Sequence, residues 1–215
     1  KIYPEQSRRV AIFDLDGTLV SGHLWMGLMK HHFKKEINRP SAIWYSVFHM
    51  FYLPLWITHI ISKEKYYRAW AEGLASPMKG IKLSQAREIF NWISDEYLLP
   101  TIKNNVLEKL KWHQEEGDTT ILASNSFQDL IQVITNRLKI NFAIGTKLEI
   151  SGDKFSGKIL PPLPFGKEKA KRIRELLEKE NLNINFKESF AYSDSIFDLP
   201  MLKLVGNPVV FDFTP

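Results

Sequence analysis

The stretch "FDLDGT" at residues 13–18 places two carboxylates, Asp14 and Asp16, at the point where a short apolar run ends. The preceding residues, "RRVAIFD" (8–14), are typical of a buried strand that stops at an acid. Carboxylates this close repel each other, and both stay ionised only if a cation or another positive charge lies near them. The stretch is therefore either a solvated acidic turn or one part of a site, and residues far along the chain decide between the two.

The composition is that of an ordinary folded protein with a sizeable core. The chain has 215 residues, of which 44% are apolar and 25% are charged. It contains no cysteine, which excludes disulfides, thiolate catalysis and cysteine-based zinc sites. The first ten residues, "KIYPEQSRRV", lack the apolar segment of a secretory signal, so we expect a cytoplasmic protein, with membrane association as the alternative.

The formal net charge is +5. This charge is either a solvated basic surface or a source of attraction for an anionic substrate or an acidic membrane. The basic residues are spread along the chain and no nucleic-acid module is recognisable, so we expect no nucleic-acid partner.

From Thr101 onward, segments with helical spacing alternate with short buried runs. Helices are predicted at 101–117, 127–138 and 166–181, strands at 119–124, 189–194 and 207–213, and a hairpin at 147–159. This alternation predicts an α/β fold with a doubly wound parallel sheet. Residues 21–100 are rich in aromatic residues and histidine, and we expect a helical insertion there, between the two parts of a core formed by residues 1–20 and 101–215.

The segment "IWYSVFHMFYLPLWITHII" (43–61) carries no formal charge and is long enough to cross a bilayer. A single crossing would separate Asp14 from every later part of the site, and Pro54 predicts two short helices instead of one. Two interpretations remain. We favour an insertion buried against the core, because aromatic-rich helices are more often core than anchor. The alternative is an amphipathic or re-entrant hairpin at a lipid surface, which the flanking basic residues would favour.

Three later segments supply groups that the two carboxylates need. Ser124 ends a predicted strand, where its hydroxyl and free backbone N–H groups would form an anion-binding corner. The segment "GKEK" (166–169) opens a helix with lysines, and "YSDSIFD" (192–198) places Asp194 and Asp198 after a strand, as hard ligands that suit Mg²⁺. Each segment alone has an ordinary explanation as a helix cap, a surface lysine or a favourable acid at a helix N-terminus.

In this order, the four segments resemble the motifs of the haloacid dehalogenase (HAD) superfamily of phosphohydrolases, and most closely its phosphoserine-phosphatase-like branch. "DLDGT", "LASNS", "GKEK" and "YSDSIFDLPML" are similar to its first to fourth motifs, and the last is the most specific. The resemblance covers residues 8–20 and about 101–211. Residues 21–100 match the family's inserted cap only in position and helical character. Ser193 departs from the pattern, since glycine commonly precedes the acid of the fourth motif.

The resemblance implies a Mg²⁺-dependent phosphatase that works through an aspartyl-phosphate, with Asp14 as nucleophile and Asp16 as general acid and base. The implied Mg²⁺ ligands are Asp14, the backbone carbonyl of Asp16, Asp194, and Asp198 as ligand or support. The implied phosphate-binding residues are Gly17, Thr18, Ser124, Asn125 and Lys169, with Lys167 as the alternative to Lys169.

The substrate is open at this point. The aromatic residues of 43–61 either pack the interior of the cap, which we favour, or line an apolar pocket for the leaving group. We expect a phosphatase for a small metabolite such as phosphoserine. The alternatives are a lipid-phosphate phosphatase at a membrane surface, with a phosphatidylglycerophosphate-like substrate, and a receiver-like or inactive binding domain.

Overall fold

The computed structural model describes residues 7–214 of the protein, and of residues 212–214 it describes the backbone alone. In chain order the elements are β1 (Val10–Phe13), α1 (Leu24–Lys35), α2 (Arg39–Ile57), α3 (Lys63–Gly73), α4 (Leu83–Trp92), α5 (Asn104–Glu115), β2 (Thr119–Phe127), α6 (Gln128–Leu138), β3 (Phe142–Thr146), β4 (Leu148–Ser151), β5 (Lys154–Ile159), α7 (Lys167–Lys179), β6 (Phe190–Ser195), α8 (Leu199–Leu202) and β7 (Asn207–Thr214).

β1 lies at the centre of a five-stranded parallel sheet with the strand order β3-β2-β1-β6-β7. All four residues of β1 are fully buried, as expected of a parallel strand that is covered on both faces. The strand order reverses at β1, so the carboxyl ends of β1, β2 and β6 meet at the edge where such sheets bind ligands. The predicted α/β fold with a doubly wound parallel sheet is confirmed, and β4 and β5 form the predicted hairpin.

Alternate side chains of β1 enter two apolar clusters, one on each face of the sheet. Ala11 and Phe13 belong to the larger cluster, which also takes in side chains of α5, α6 and the helices of residues 21–100. Val10 and Ile12 belong to the smaller cluster, with side chains of α7 and α8. Each β1 side chain is thus buried against helices, which fixes the strand and the position of the acid that follows it.

Residues 21–100 form α1 to α4, and the chain leaves the core and re-enters it at neighbouring positions. The backbone N–H of Ser21 donates to the carbonyl of Thr101 at 3.0 Å, and Val20 pairs with Ile102 in an isolated antiparallel bridge. The entry and exit of the insertion are therefore adjacent. This geometry agrees with the predicted boundaries, which stay a prediction.

The segment 43–61 forms most of one helix, so the prediction of two short helices is wrong. α2 continues through Pro54, which lies in its last turn. Proline disrupts the interior of a helix, but here only three more helical residues follow it. Thr58 ends the helix: its backbone N–H and its hydroxyl both donate to the carbonyl of Pro54, at 2.9 and 2.7 Å.

The prediction that residues 43–61 are buried against the core is wrong for most of their side chains. Tyr45 and His49 are buried, whereas the side chains on the opposite half of the helix face outward. We call these the exposed α2 face, which comprises Ile43, Trp44, Phe48, Met50, Phe51 and Ile57. Trp44 is 67% exposed and Phe51 is 71% exposed. Within residues 7–214, no helix is both long enough and apolar enough to cross a membrane.

The buried ring of His49 makes folding sensitive to acid. Neither of its ring nitrogens has a hydrogen-bond partner among residues 7–214, and burial lowers the pKa of His49 to about 4 from its ordinary 6.5. The unfolded chain therefore binds a proton at His49 at a pH where the folded chain does not, and stability is lost as the pH falls below 6.5. We expect His49→Phe to reduce the loss of stability between pH 7 and pH 4.5 by about 2 kcal/mol.

Denaturant unfolding at several pH values measures this effect. His59→Asn is the control, because His59 is exposed and asparagine tolerates its left-handed backbone conformation (φ 58°). The control should keep the pH dependence of the original protein. An equally steep pH dependence in His49→Phe would contradict the assignment.

Candidate active site

Asp14 follows β1 directly and meets a lysine from the far side of the chain. Its backbone N–H donates to the carbonyl of Tyr192, which continues the sheet by one residue, and its carboxylate is buried. The ammonium of Lys169, at the start of α7, donates to Asp14 Oδ1 at 2.9 Å. The same ammonium lies 2.6 Å from Asp198 Oδ1. A single buried cation thus joins the first and fourth predicted motifs.

Thr18 joins Asp14 to Asp194. Its hydroxyl is fully buried and lies 3.3 Å from Asp14 Oδ2 and 3.0 Å from Asp194 Oδ1, and it accepts a hydrogen bond from the backbone N–H of Asp194 at 3.0 Å. The two carboxylates therefore face each other across one hydroxyl. Two residues that are 180 positions apart in the sequence are close enough to act on one ligand.

Gly17 makes the approach of Asp194 feasible. Its φ is +85°, and a Cβ atom built there would lie 2.2 Å from Asp194 Oδ2. Any L side chain would both strain the backbone and displace the carboxylate. Glycine is therefore required at this position by the site itself.

Asp198 holds Lys169 in place. Its second carboxylate oxygen, Oδ2, accepts a hydrogen bond from the hydroxyl of Ser193 at 2.8 Å. Ser193 is the residue that departs from the family pattern, and here its hydroxyl fixes the acid. With one oxygen on a lysine and the other on a serine, Asp198 is placed to orient the cation.

Asp16 has a different set of partners from Asp14. Its Oδ1 accepts a hydrogen bond from the backbone N–H of Leu24, the first residue of α1, at 2.8 Å. Its Oδ2 accepts one from the hydroxyl of Ser126 at 2.6 Å, and the hydroxyl of Ser124 lies 3.3 Å away. The two acids of "DLDGT" are thus held apart by separate partners, and Asp16 is tied to the insertion.

The site has more negative than positive charge. Burial raises the pKa of Asp14 to about 7; the carboxylates of Asp198 and Asp16 add to this rise, while Lys169 opposes it. Burial also raises the pKa of Asp194. Burial alone would lower the pKa of Lys169, but the charges of Asp14 and Asp198 outweigh it and raise that pKa above its ordinary value. Lys169 is therefore charged, and Asp14 and Asp194 are short of positive charge.

A magnesium ion would supply the positive charge that Asp14 and Asp194 lack. Mg²⁺ takes oxygen ligands, keeps several waters and is typically held by one or two carboxylates. Asp14 and Asp194 provide two carboxylates that face each other, and the backbone carbonyl of Asp16 is the third predicted ligand. Among the described residues, no three histidine, aspartate or glutamate side chains converge closely enough to hold a metal by themselves. The donors therefore fit a partly hydrated Mg²⁺ better than a metal that needs a full set of protein ligands.

These carboxylates lie at one end of a cavity of about 640 Å³. The insertion and the core both contribute to its walls. Of the predicted site residues, those that line it are Asp14, Asp16, Gly17, Asn125, Lys169, Asp194 and Asp198. Thr18 and Ser124 lie behind the carboxylates and are fully buried, so their role as phosphate ligands stays a prediction. Lys167 is exposed on α7 and lies at a different hollow, which favours Lys169 for the position next to Asp14.

Two further residues of the site were not predicted from the sequence. Ser126 lines the cavity and binds Asp16, and its position two residues after Ser124 on an extended strand was a usable signal, because such residues share a face. Lys103 lines the cavity and donates from Nζ to the carbonyl of Gly17 at 2.5 Å. No local pattern indicates Lys103, which reaches the site because the exit of the insertion returns beside Leu19.

The chain belongs to the haloacid dehalogenase-like hydrolase family, whose model matches residues 11–203. A probable phosphatase of Mycobacterium tuberculosis is 25% identical over 205 residues, which are 95% of this chain and 69% of that protein. A phosphoserine phosphatase of the same organism is 28% identical over 94% of this chain and 64% of its own length. A histidinol-phosphatase of Neisseria meningitidis is 24% identical over 94% of this chain and 89% of its own length.

Solved structures share the fold. A protein of unknown function from Bordetella pertussis superposes with a TM-score of 0.76 at 22% identity, over 98% of this chain and 92% of that one. A substrate-bound phosphoserine phosphatase superposes with a TM-score of 0.63 at 16% identity, over 98% and 89%. Identities this low show the fold alone. With the family match and the phosphatases among the relatives, the predicted family and enzyme class, a HAD-type phosphatase, are confirmed.

The contact between Gly17 and Asp194 predicts the effect of adding one carbon atom. Gly17→Ala should displace the Asp194 carboxylate and weaken Mg²⁺ binding by about tenfold or more, measured by titration calorimetry. Gly80→Ala is the matched control, since Gly80 also has a positive φ (+78°) but no atom of the described part of the chain lies within 4 Å of the added carbon. The control should bind Mg²⁺ like the original protein. Equal Mg²⁺ affinities in the two variants would contradict this reading of the site.

Proposed function

We propose that the protein is a Mg²⁺-dependent phosphatase that hydrolyses a phosphomonoester through an aspartyl-phosphate on Asp14. The observation that supports this most strongly is the arrangement around Asp14. A charged lysine contacts one of its oxygens, and a hydroxyl shared with Asp194 contacts the other. This arrangement places an anionic nucleophile beside a cation and beside a second carboxylate suited to a metal.

In the first step, a carboxylate oxygen of Asp14 attacks phosphorus, and the bond between phosphorus and the ester oxygen breaks. The alcohol leaves with a proton from Asp16. In the second step, Asp16 takes a proton from water, whose oxygen attacks phosphorus and releases inorganic phosphate and the free Asp14 carboxylate. The net reaction consumes one water and yields one alcohol and one phosphate.

Asp16 suits the proton-transfer role because it forms no ion pair with Lys169, whose contacts are Asp14 and Asp198. Its two oxygens are held by the Leu24 N–H and the Ser126 hydroxyl, and the carboxyl lines the cavity. Both partners are hydrogen-bond donors that fix the direction of the carboxyl without neutralising it by a formal charge. A positioned acid of this kind typically contributes about 10²–10⁴-fold to the rate.

Asp198 and Lys169 act as a unit in this proposal. Asp198 orients Lys169, and the Lys169 ammonium binds a phosphoryl oxygen and stabilises the negative charge of the transition state. Bound at Asp14, Asp194 and the Asp16 carbonyl, Mg²⁺ would screen the repulsion between the nucleophile and the phosphate. Gly17 and Asn125, which line the cavity, and Thr18 and Ser124, which lie behind the carboxylates, are the remaining candidate phosphate-binding residues.

The relatives do not determine the leaving group, because one is named a phosphoserine phosphatase and another a histidinol-phosphatase. Phosphoserine or a similar metabolite stays a prediction. The cavity brings together the charged groups that turnover needs, which argues against a receiver-like or inactive binding domain.

Substitution of each acid tests the assignment of roles. Asp14→Asn should lower the Mg²⁺-dependent hydrolysis of p-nitrophenyl phosphate by roughly 10⁴-fold or more, because the amide is a poor nucleophile. Asp16→Asn should lower it by about 10²–10⁴-fold. Chelation of Mg²⁺ with EDTA should abolish the activity and added Mg²⁺ should restore it.

Asp153→Asn serves as the control, because it makes the same substitution at an exposed turn of the hairpin and should keep full activity. Substantial activity retained by Asp14→Asn would mean that the nucleophile lies elsewhere.

A second candidate is a phosphatase that works on a lipid phosphate at a membrane surface, and the exposed α2 face favours it. A large exposed apolar patch on a helix is uncommon in a protein that acts free in solution. Residues 30–68 contain seven lysines and arginines but only two acids, Glu36 and Glu64. This excess of positive charge favours an anionic lipid surface as the partner of the exposed α2 face. Each of these acids is already paired, with Arg39 and Arg68.

Vesicle sedimentation tests this candidate. The protein should bind phosphatidylglycerol vesicles, less so as salt is raised, and the double substitution Trp44→Ser with Phe51→Ser should weaken binding about tenfold or more. Trp112→Ser, which removes a 39% exposed tryptophan on α5, is the control and should bind normally. Absence of vesicle binding would reject the membrane surface, and self-association that the double substitution abolishes would assign the face to a second copy instead.

A further inference from the structure

Beyond its phosphate end, the cavity is walled mainly by aromatic rings. Among the residues that the structure describes, seven tryptophan, tyrosine and phenylalanine side chains line it: Trp25, Trp56, Tyr66, Tyr67, Trp70, Phe165 and Phe197. They come from the insertion and from two core segments, of which one precedes Lys169 and the other carries Asp194 and Asp198. What they share is a large apolar surface, which decides what kind of leaving group the cavity can hold.

One wall begins within the acidic segment itself. Phe197 lies between Asp194 and Asp198 in the sequence, and its ring centroid is 4.8 Å from that of Phe165 and 5.4 Å from that of Tyr67. Tyr67 in turn lies 6.2 Å from Trp56, at the C-terminal end of α2. The rings thus form a continuous apolar surface from the loop that carries Asp194 and Asp198 to the insertion.

The other wall begins next to the acid that protonates the leaving group. Leu24 donates its backbone N–H to Asp16, and the following residue, Trp25, lines the cavity. The ring of Trp25 packs edge-on against that of Trp70, with centroids 5.7 Å apart. The wall beside Asp16 therefore continues from the backbone of Leu24 to the rings of Trp25 and Trp70.

The charges around the rings disfavour an amino group. Among the described residues that line the cavity, the only carboxylates are the four at the phosphate end. Aromatic rings alone attract ammonium groups, but here cations already face these rings. Lys63 Nζ lies 5.8 Å from the Tyr67 ring and 5.9 Å from the Phe197 ring, and the Arg68 guanidinium lies 5.5 Å from the Phe165 ring. These ring faces are already occupied by cations of the protein, which leaves less of them to bind the ammonium group of a substrate.

From these observations we infer that the enzyme selects phosphomonoesters of apolar alcohols, aryl-bearing or alkyl, over those of amino alcohols such as serine, histidinol or choline. This inference rests on the proposed phosphatase activity. It names the leaving group, which neither the family motifs nor the relatives determine. The phosphate is bound by the charged end of the cavity, and the rings bind the carbon skeleton.

The kinetic test compares substrates with similar chemical reactivity. 2-Phenylethyl phosphate, hexyl phosphate, O-phosphoserine, histidinol phosphate and phosphocholine all release primary alcohols, so differences in kcat/KM mainly report recognition. Burial of a phenyl ring is worth about tenfold or more in affinity, and we expect at least that preference for the phenylethyl or hexyl ester. A kcat/KM for any of the three amino-alcohol esters that equals or exceeds both apolar esters would overturn the inference.

The two apolar substrates distinguish the two kinds of leaving group that the cavity could bind, aromatic alcohols and alkyl alcohols. A preference for the phenylethyl ester assigns the cavity to aromatic alcohols. A kcat/KM that rises with chain length from butyl to decyl phosphate assigns it to alkyl chains, as in a lipid. Both outcomes support an apolar leaving group.

A substitution at Tyr67 ties the preference to the rings. Tyr67 is 36% exposed, so its truncation should leave the fold intact. Tyr67→Ala should lower the ratio of kcat/KM for 2-phenylethyl phosphate over O-phosphoserine by about threefold or more, and Tyr67→Phe, which keeps the ring, should restore it. Trp112→Ala, at an aromatic residue that does not line the cavity, should leave the ratio as it is. An unchanged ratio in Tyr67→Ala would contradict the role of the wall.

A binding measurement distinguishes failure of this inference from failure of the proposed function. 3-Phenylpropylphosphonate replaces the ester oxygen by a methylene and cannot be hydrolysed. In the presence of Mg²⁺, titration calorimetry should find it bound about tenfold or more tightly than the phosphonate analogue of phosphoserine, whether or not the protein turns over any ester. Equal or reversed affinities would overturn the inference even if p-nitrophenyl phosphate is hydrolysed. The expected affinities without any turnover would overturn only the proposed reaction.

Discussion

The buried ammonium of Lys169 is the contact on which the rest of the site depends. It lies between the carboxylates of Asp14 and Asp198, at 2.9 and 2.6 Å, and without it these two acids would be buried without a counter-charge. Removal of one partner from a buried ion pair typically costs roughly 3–5 kcal/mol, because the charge that remains is stranded. The fold can keep these acids inside only because α7 delivers the lysine to the end of β1.

Lys169 does not balance all the negative charge of the site, and this imbalance favours the binding of a metal ion. Lys169 and Lys103 do not balance the four carboxylates that line the cavity, and burial raises the pKa of Asp14 to about 7. A divalent ion at Asp14 and Asp194 would supply the missing charge and keep the nucleophile ionised. Asp16, which is held by donors from β2 and α1, stays outside this cluster and is available for proton transfer. The carbon skeleton of the substrate would then meet walls that the core and the insertion both supply, and the first helix of the insertion begins at the N–H that binds Asp16.

The fold and the charged part of the site were largely predictable because their signals are local. Buried runs and helical spacing predicted four of the five strands of the sheet and α7, though not the edge strand β3, and the four motifs predicted the acids and Lys169. The position of the α2 side chains was not predictable in this way, since periodicity identifies an apolar helix but not which of its faces another element covers. Pro54 misled the prediction because its effect depends on how much helix follows. The buried orientation of Thr18 and Ser124 and the arrival of Lys103 depend on packing between distant segments, which no local pattern records.

The identity of the phosphorylated residue tests the central claim most directly. The enzyme is mixed with substrate and Mg²⁺, quenched rapidly, and treated with borohydride, which reduces an aspartyl-phosphate to homoserine. Peptide mass spectrometry then locates the change. We predict homoserine at position 14, only when both substrate and Mg²⁺ are present. Homoserine at another aspartate, or turnover of substrate with no reduced residue at position 14, would contradict the claim that Asp14 accepts the phosphoryl group.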